Sequence, residues 1–177
     1  MIQIIDAGIG NHASVSNMLN YLEIEHYTIT TPKEIHLNSK LILPGVGAYD
    51  YAVNKLKMNG WFEALRDLDH ANYLMGICLG MQILFDGSEE GNLGGLGYIK
   101  GYARKFKNIS NPIPHMGWNI SETIPNSMQV NKKARYYFSH SYYVEPEQSL
   151  DLEWRTSYGV DFCSGLKLNK IFGFQFH

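Results

Sequence analysis

Several features are scarce or missing in this chain of 177 residues, and each absence removes a class of function. Cysteine occurs only twice, at Cys78 and Cys163. Two thiols are too few for a disulfide-built scaffold. With no secretory leader visible ahead of Met1-Ile2-Gln3-Ile4-Ile5-Asp6, both are expected free in a reducing cytoplasm. No apolar stretch is long enough to span a bilayer, so no membrane role is expected. Neither charge sign dominates: 15 basic and 17 acidic residues leave a net charge of -2. That balance gives no reason to expect nucleic acid or an acidic membrane as partner. C-x-x-C and H-x-x-x-H spacings, clustered carboxylates and the Walker pattern are all missing, so neither a metal nor a P-loop nucleotide is expected. No repeat, low-complexity tract or linker interrupts residues 1–177, which read as one domain.

What is present is 45% hydrophobic residues, enough for a real core, and 13% aromatics, with 12 tyrosines. The first half alternates strands and helices. Ile2 to Asp6 reads as a buried strand ending in the Gly-rich turn Ala7-Gly8-Ile9-Gly10-Asn11. A helix follows with Val15, Met18, Leu19 and Leu22 at i, i+3, i+4 and i+7. Strands are expected at Tyr27–Thr30 and Lys40–Leu43, and helices over Tyr49–Leu56 and Trp61–Leu68. The run Tyr73-Leu74-Met75-Gly76-Ile77 is a strand leading to Cys78, and Leu79–Phe85 reads as the helix after it. Such alternation predicts a mostly parallel α/β sheet flanked by helices, with ligands beyond the C-terminal ends of its strands. After about Gly91 the pattern changes to short strands, some antiparallel. They are expected at Tyr98–Phe106, Gly117–Ile120, Arg135–Phe138, Tyr142–Val144, Leu152–Thr156, Phe162–Leu166 and Ile171–Phe176. Turn residues such as Asn111-Pro112 and Pro125-Asn126 separate them.

One segment carries chemistry. In Gly76-Ile77-Cys78-Leu79-Gly80-Met81-Gln82 a cysteine stands between glycines where a strand turns into a helix, the pattern of a nucleophile elbow. The free N–H groups of the helix start favour a thiolate and an oxyanion. Cys163 has no such context and reads as core. A thiolate needs a base. Of seven histidines, His26, His36 and His70 read as solvated and His12 lies in the first Gly-rich loop. His115 and His140 sit at strand edges, and His177 ends an apolar strand. Spacing does not decide between His140 and His177. The loop Pro44-Gly45-Val46-Gly47 is a strand-ending turn that could also supply an oxyanion N–H. Gly8, Gly10 and Ala13 match a dinucleotide fingerprint, but the strand that should end in an acidic residue ends in Thr31-Pro32.

Together these segments resemble class I glutamine amidotransferases. Gly76–Gln82 resembles their nucleophile motif, and Gly173-Phe174-Gln175-Phe176-His177 their catalytic-histidine strand. Leu43–Ala48, Pro114-His115-Met116-Gly117-Trp118-Asn119, Tyr137–Tyr143 and Asp6–Asn11 narrow the likeness to the glutaminase subunits of imidazole glycerol phosphate synthase. The resemblance implies a flavodoxin-like α/β amidotransferase fold. It implies Cys78 as nucleophile, His177 as base, and an oxyanion site from Leu79 with Val46 or Gly47. It places glutamine against Gln82, Glu90, Gly47, His140, Ser141 and Tyr142. It implies no cofactor, and a (β/α)8 barrel cyclase as partner. It further implies that a displaced oxyanion N–H keeps the free glutaminase nearly idle. The family's motif continues Pro-Glu after the histidine, and that glutamate falls outside this sequence, so a missing C-terminal tail is expected. Ala7 and His12-Ala13 also depart from the family's pattern near its partner surface. Two alternatives stay open: a paralogue serving another synthase, for example one modifying a surface sugar, and a degenerate domain that binds without turnover.

Overall fold

The computed structural model describes residues 1–124 and 133–177, so the turn expected at Pro125-Asn126 lies outside the described residues. The order in the first half is β1 (Ile2–Ile5), α1 (His12–Tyr21), β2 (His26–Ile29), β3 (Lys40–Gly45), α2 (Tyr49–Met58), α3 (Trp61–Arg66), β4 (Tyr73–Cys78) and α4 (Leu79–Ile83). Among the described residues the second half holds only strands: β5 (Phe85–Ser88), β6 (Ile99–Lys105), β7 (His115–Thr123), β8 (Lys133–His140), β9 (Tyr142–Pro146), β10 (Leu152–Ser157), β11 (Asp161–Leu168) and β12 (Ile171–Phe174).

All the described strands join one mixed sheet, ordered β2-β1-β3-β4-β12-β11-β10-β7-β8, with β5, β6 and β9 branching from β11. The first five in that order run parallel. The rest of the path is antiparallel. The antiparallel strands therefore extend the parallel sheet through β12. The main core packs Leu41, Leu43, Leu74 and Leu79 against Tyr49, Leu56, Trp61 and Leu65 of α2 and α3. A second, aromatic core gathers Phe106, Phe138, Phe162 and Phe176 under the antiparallel half.

Two local expectations change. The apolar run Leu79–Phe85 is not one helix. It stops at Ile83 because the next carbonyls are taken from outside: Leu96 N–H bonds Ile83 O, Ile99 N–H bonds Leu84 O, and Gly97 N–H bonds Phe85 O. Phe85 then opens β5, paired with Ile99. A fully buried run has no polar face to reveal its period, so sequence reading favoured the helix. In α1 only Leu19 of the four-residue apolar stripe is buried, while Met18 and Leu22 stay exposed. Asn11 starts that helix by accepting the Ser14 N–H at 3.0 Å.

Register places the site. Gly45 pairs with Cys78, so the end of β3 lies beside the end of β4. Phe174 pairs with Ile77, so the residues after β12 reach the same edge from the other side. His115 pairs with His140, closing the far wall.

Candidate active site

Cys78 ends β4 with φ 55° and ψ -112°, a backbone region costly for any residue with a Cβ. The sharp turn is possible because backbone packs directly on backbone around it. A Cβ at Gly80 would lie 2.0 Å from Leu43 O, and one at Gly76 would lie 2.5 Å from Gly80 C. The elbow glycines are thus required by close approach, as the motif suggested.

A cavity of about 370 Å³ opens at this edge. Its walls include all ten residues named from sequence: Val46, Gly47, Cys78, Leu79, Gln82, Glu90, His140, Ser141, Tyr142 and His177. Pro114 and Ser139 also line it and were not anticipated. Cys78 is 7% exposed, and burial pushes its thiol up to about 11, against a downward pull from the Leu79 N–H and the Gln175 side chain. It is therefore a thiol at neutral pH and needs a base at the moment of attack.

The two candidate bases separate on hydrogen bonding. His140 is buried, and both of its ring nitrogens are engaged: Nδ1 with Tyr142 O at 2.8 Å, Nε2 with His115 Nδ1 at 3.1 Å. Burial drives its pKa down to about 3. His177 has no ring-nitrogen partner among the described residues. Its backbone N–H is fixed on Tyr137 O at 2.9 Å, and partial burial lowers its pKa. A neutral, unpartnered imidazole on the cavity wall is the better proton acceptor.

His115, placed by the sequence only at a strand edge, is a packing residue. It stacks between Phe138 and Tyr158 and connects His140 to Asn119. Gln175, part of the expected histidine strand, is fully buried. It links Gln82 to the Cys78 sulfur, at 3.1 Å and 3.6 Å. Only its place two residues before His177, in a run of otherwise apolar side chains, marked it in the sequence.

The expected oxyanion loop packs beside the elbow, with Gly47 at φ 95°. Its Val46 N–H donates to Ile9 O at 2.7 Å. The Gly8-x-Gly10 turn thereby has a packing reason: a Cβ at Gly10 would lie 2.3 Å from Pro44 O. Glu90 stands over the start of α2, its carboxylate accepting the Tyr49 N–H at 3.2 Å. Partial burial raises its pKa. Cys163 is buried in β11 with its thiol pKa pushed up by burial, as a core residue should be. Among the described residues no cluster of side chains suits a metal ion, and no helix is long and apolar enough to cross a membrane.

An elbow cysteine and an open histidine share a small cavity at the end of a parallel sheet, the arrangement of a cysteine-nucleophile enzyme. The chain belongs to the class I glutamine amidotransferase family, whose family model matches residues 3–177. Within that family it is similar to "Imidazole glycerol phosphate synthase subunit HisH" of Leptospira borgpetersenii. The two are 40% identical over 186 residues, covering 100% of this chain and 91% of that protein. It is likewise 41% identical over 184 residues to "Imidazole glycerol phosphate synthase subunit HisH 2" of Methanococcus maripaludis, with the same two coverages. Among solved structures, a "glutamine amidotransferase" crystal structure superposes with TM-score 0.72 at 15% identity, covering 99% of this chain and 89% of that one. PurLQS from Thermotoga maritima gives 0.65 at 17%, covering 99% and 86%. At those identities the structural likeness speaks for the fold.

Proposed function

We propose that this chain hydrolyses glutamine to glutamate and ammonia. The ammonia passes to a barrel-type cyclase subunit that makes imidazole glycerol phosphate and AICAR in histidine biosynthesis. The observation that carries the reading is the shared cavity of Cys78 and His177, with full-length similarity to HisH proteins behind it. In the proposed reaction His177 takes the Cys78 proton as sulfur attacks the glutamine carboxamide carbon. The resulting oxyanion is held by the Leu79 N–H and by one from the Val46-Gly47 loop. The histidine returns its proton to nitrogen, the C–N bond breaks and ammonia leaves. Water then cleaves the glutamyl thioester, giving glutamate and the free thiol. Glu90 offers a carboxylate to the substrate's α-ammonium group, and Gln82, His140, Ser141 and Tyr142 complete the cradle. No cofactor enters these steps.

The Val46 N–H fits a gated enzyme. Bonded to Ile9 O, it does not point a free donor at an oxyanion. Partner binding that turns this peptide unit would complete the site, with Gly45, the residue on its other side, giving the freedom to do so. The test is glutamate release by the wild type and by Cys78→Ala, each with and without the cyclase. The expected result is slow release alone, strong stimulation by the cyclase, and a loss of about 10⁴-fold or more in Cys78→Ala. Absence of stimulated, Cys78-dependent release would leave the non-catalytic binding domain as the better reading. Stimulation only by a different synthase would favour the paralogue.

A further inference from the structure

We propose that Gln175 is a further catalytic residue: its carboxamide N–H, held in one orientation by a chain of hydrogen bonds, donates to the Cys78 sulfur and stabilises the thiolate as it forms. The proposal rests on Cys78 being the nucleophile of the reaction above, and it assigns a role to a residue that lies behind the cavity wall.

The orientation follows from a carbonyl. Tyr142 O is an acceptor and nothing else. Gln82 approaches it at 3.1 Å, so the Gln82 atom there is the amide nitrogen. That same nitrogen lies 3.1 Å from the Gln175 carboxamide, so the Gln175 atom facing it must be oxygen. The Gln175 nitrogen is thereby turned to Cys78, 3.6 Å from Sγ, within reach of an N–H to sulfur bond. A flip of Gln175 would set nitrogen against nitrogen at Gln82 and oxygen against sulfur at Cys78. A flip of Gln82 would set its oxygen against the Tyr142 carbonyl. His140 Nδ1–H donates to the same carbonyl at 2.8 Å, which fixes that acceptor on the wall. The backbone is tied as well: Gln175 N–H bonds Ser164 O at 2.9 Å, anchoring it to β11.

This matters because the elbow is poorly solvated. Cys78 is nearly buried, and burial favours the neutral thiol. The titratable groups on the cavity walls are Glu90, His140, Tyr142 and His177. Glu90 opposes a thiolate, His140 is locked neutral, and Tyr142 keeps its proton. Against these, Gln175 offers a fixed dipole that needs no reorganisation when charge appears. Because its two amide ends are both committed inside the protein, it is not available to bind glutamine as Gln82 could.

The readout is the pH dependence of Cys78 alkylation by iodoacetamide in the full chain, followed by mass spectrometry of the Cys78 peptide. It requires no turnover, so it can fail or succeed independently of the glutaminase reading. Gln175→Leu removes the donor at similar volume. The alkylation rate at pH 8 is expected to fall roughly tenfold or more, with the titration shifted upward. Gln175→Glu keeps the acceptor toward Gln82 and sets a carboxyl group beside sulfur, and it is expected to shift the titration upward too. It carries the test if the leucine variant does not fold. A folded variant of either kind with the wild-type titration overturns the proposal and leaves Gln175 a packing residue. If the titration shifts while wild-type chain and cyclase release no glutamate, the thiolate role stands and the glutaminase reading falls.

Discussion

Replacing Gly80 with alanine should damage both the fold and the chemistry, through one contact. The new methyl group would sit 2.0 Å from Leu43 O and 3.1 Å from Leu43 C. Both atoms are backbone of β3, which is buried between neighbours on each side, so no side chain can rotate out of the way. Reaching ordinary contact at 3.4 Å requires α4 or β3 to retreat by about 1.4 Å. Overpacking costs about 1–3 kcal/mol, and a backbone clash belongs at the upper end. For a domain of this size that is a fall in melting temperature of about 6–12 °C. The same retreat displaces the Leu79 N–H and the elbow, and misplacement on this scale costs about 100-fold in rate. The assays are thermal unfolding and glutamate release with the cyclase present. Gly94→Ala is the control, because its nearest neighbour would be Asp86 O at 3.5 Å, so it should stay within about 2 °C of wild type and remain active. A Gly80→Ala protein that melts with the wild type and turns over normally would refute the close-approach reasoning.

Other consequences are simpler to check. The His177 pKa is lowered by burial, so its neutral, base form persists below the ordinary value of 6.5, and the acid limb of kcat/KM should lie below pH 6.5. A limb above 6.5 would contradict this. His115 and His140 are buried neutral, with pKa values pushed down to about 4 and about 3. The unfolded chain takes up protons at these histidines near pH 6.5 while the native chain does not, so stability should fall as pH drops from about 6.5 to 4. Urea midpoints across that window measure it, and His115→Phe should flatten the slope; an unchanged wild-type midpoint would count against the neutral pair. Asp50 accepts the Asn92 and Leu93 N–H groups at 3.0 Å and so holds the loop that follows Glu90. Asp50→Ala should cost about 1–3 kcal/mol and raise KM for glutamine more than it lowers kcat, as steady-state kinetics and melting would show.

The sequence made the parallel half of the fold legible because β1, β3 and β4 are short apolar runs closed by Gly- or Pro-bearing turns. Strand ends were read less well. Gly117–Ile120 proves to be the middle of His115–Thr123, since polar residues at the rim of an antiparallel strand carry no distinctive period. The helix after Cys78 was overextended because Leu79 to Phe85 is buried on every side. Cys78 and the Val46-Gly47 loop were legible as candidates because they sit in distinctive Gly-bearing contexts, whereas Gln82, Glu90, Ser141 and Tyr142 on the other walls of the cavity were named only through the family resemblance. The choice between His140 and His177 came from resemblance, and its physical basis is a matter of partners. His140 is held by Tyr142 O and His115, groups that register across the β7–β8 pair brings together and that sequence distance hides.

The same reasoning explains why Gln175 escaped the sequence and why the Val46 N–H was legible only as a possible oxyanion donor, not as a bonded one. A glutamine in a strand and a valine in a turn have no chemistry of their own to announce. Their effect lies in what their amides face: sulfur in one case, the Ile9 carbonyl in the other. One donor already faces the cysteine sulfur, and the other is engaged by the Ile9 carbonyl. On the proposed mechanism, thiolate stabilisation is built into the resting chain, and only the second oxyanion donor, beside the Leu79 N–H, has to be switched on. That division predicts different responses to the partner. Cyclase binding should change glutamate release strongly and the Cys78 alkylation titration little, because only the second donor has to move. An equal change in both would mean that the partner reorganises the elbow itself, and that the Val46 peptide is not the gate.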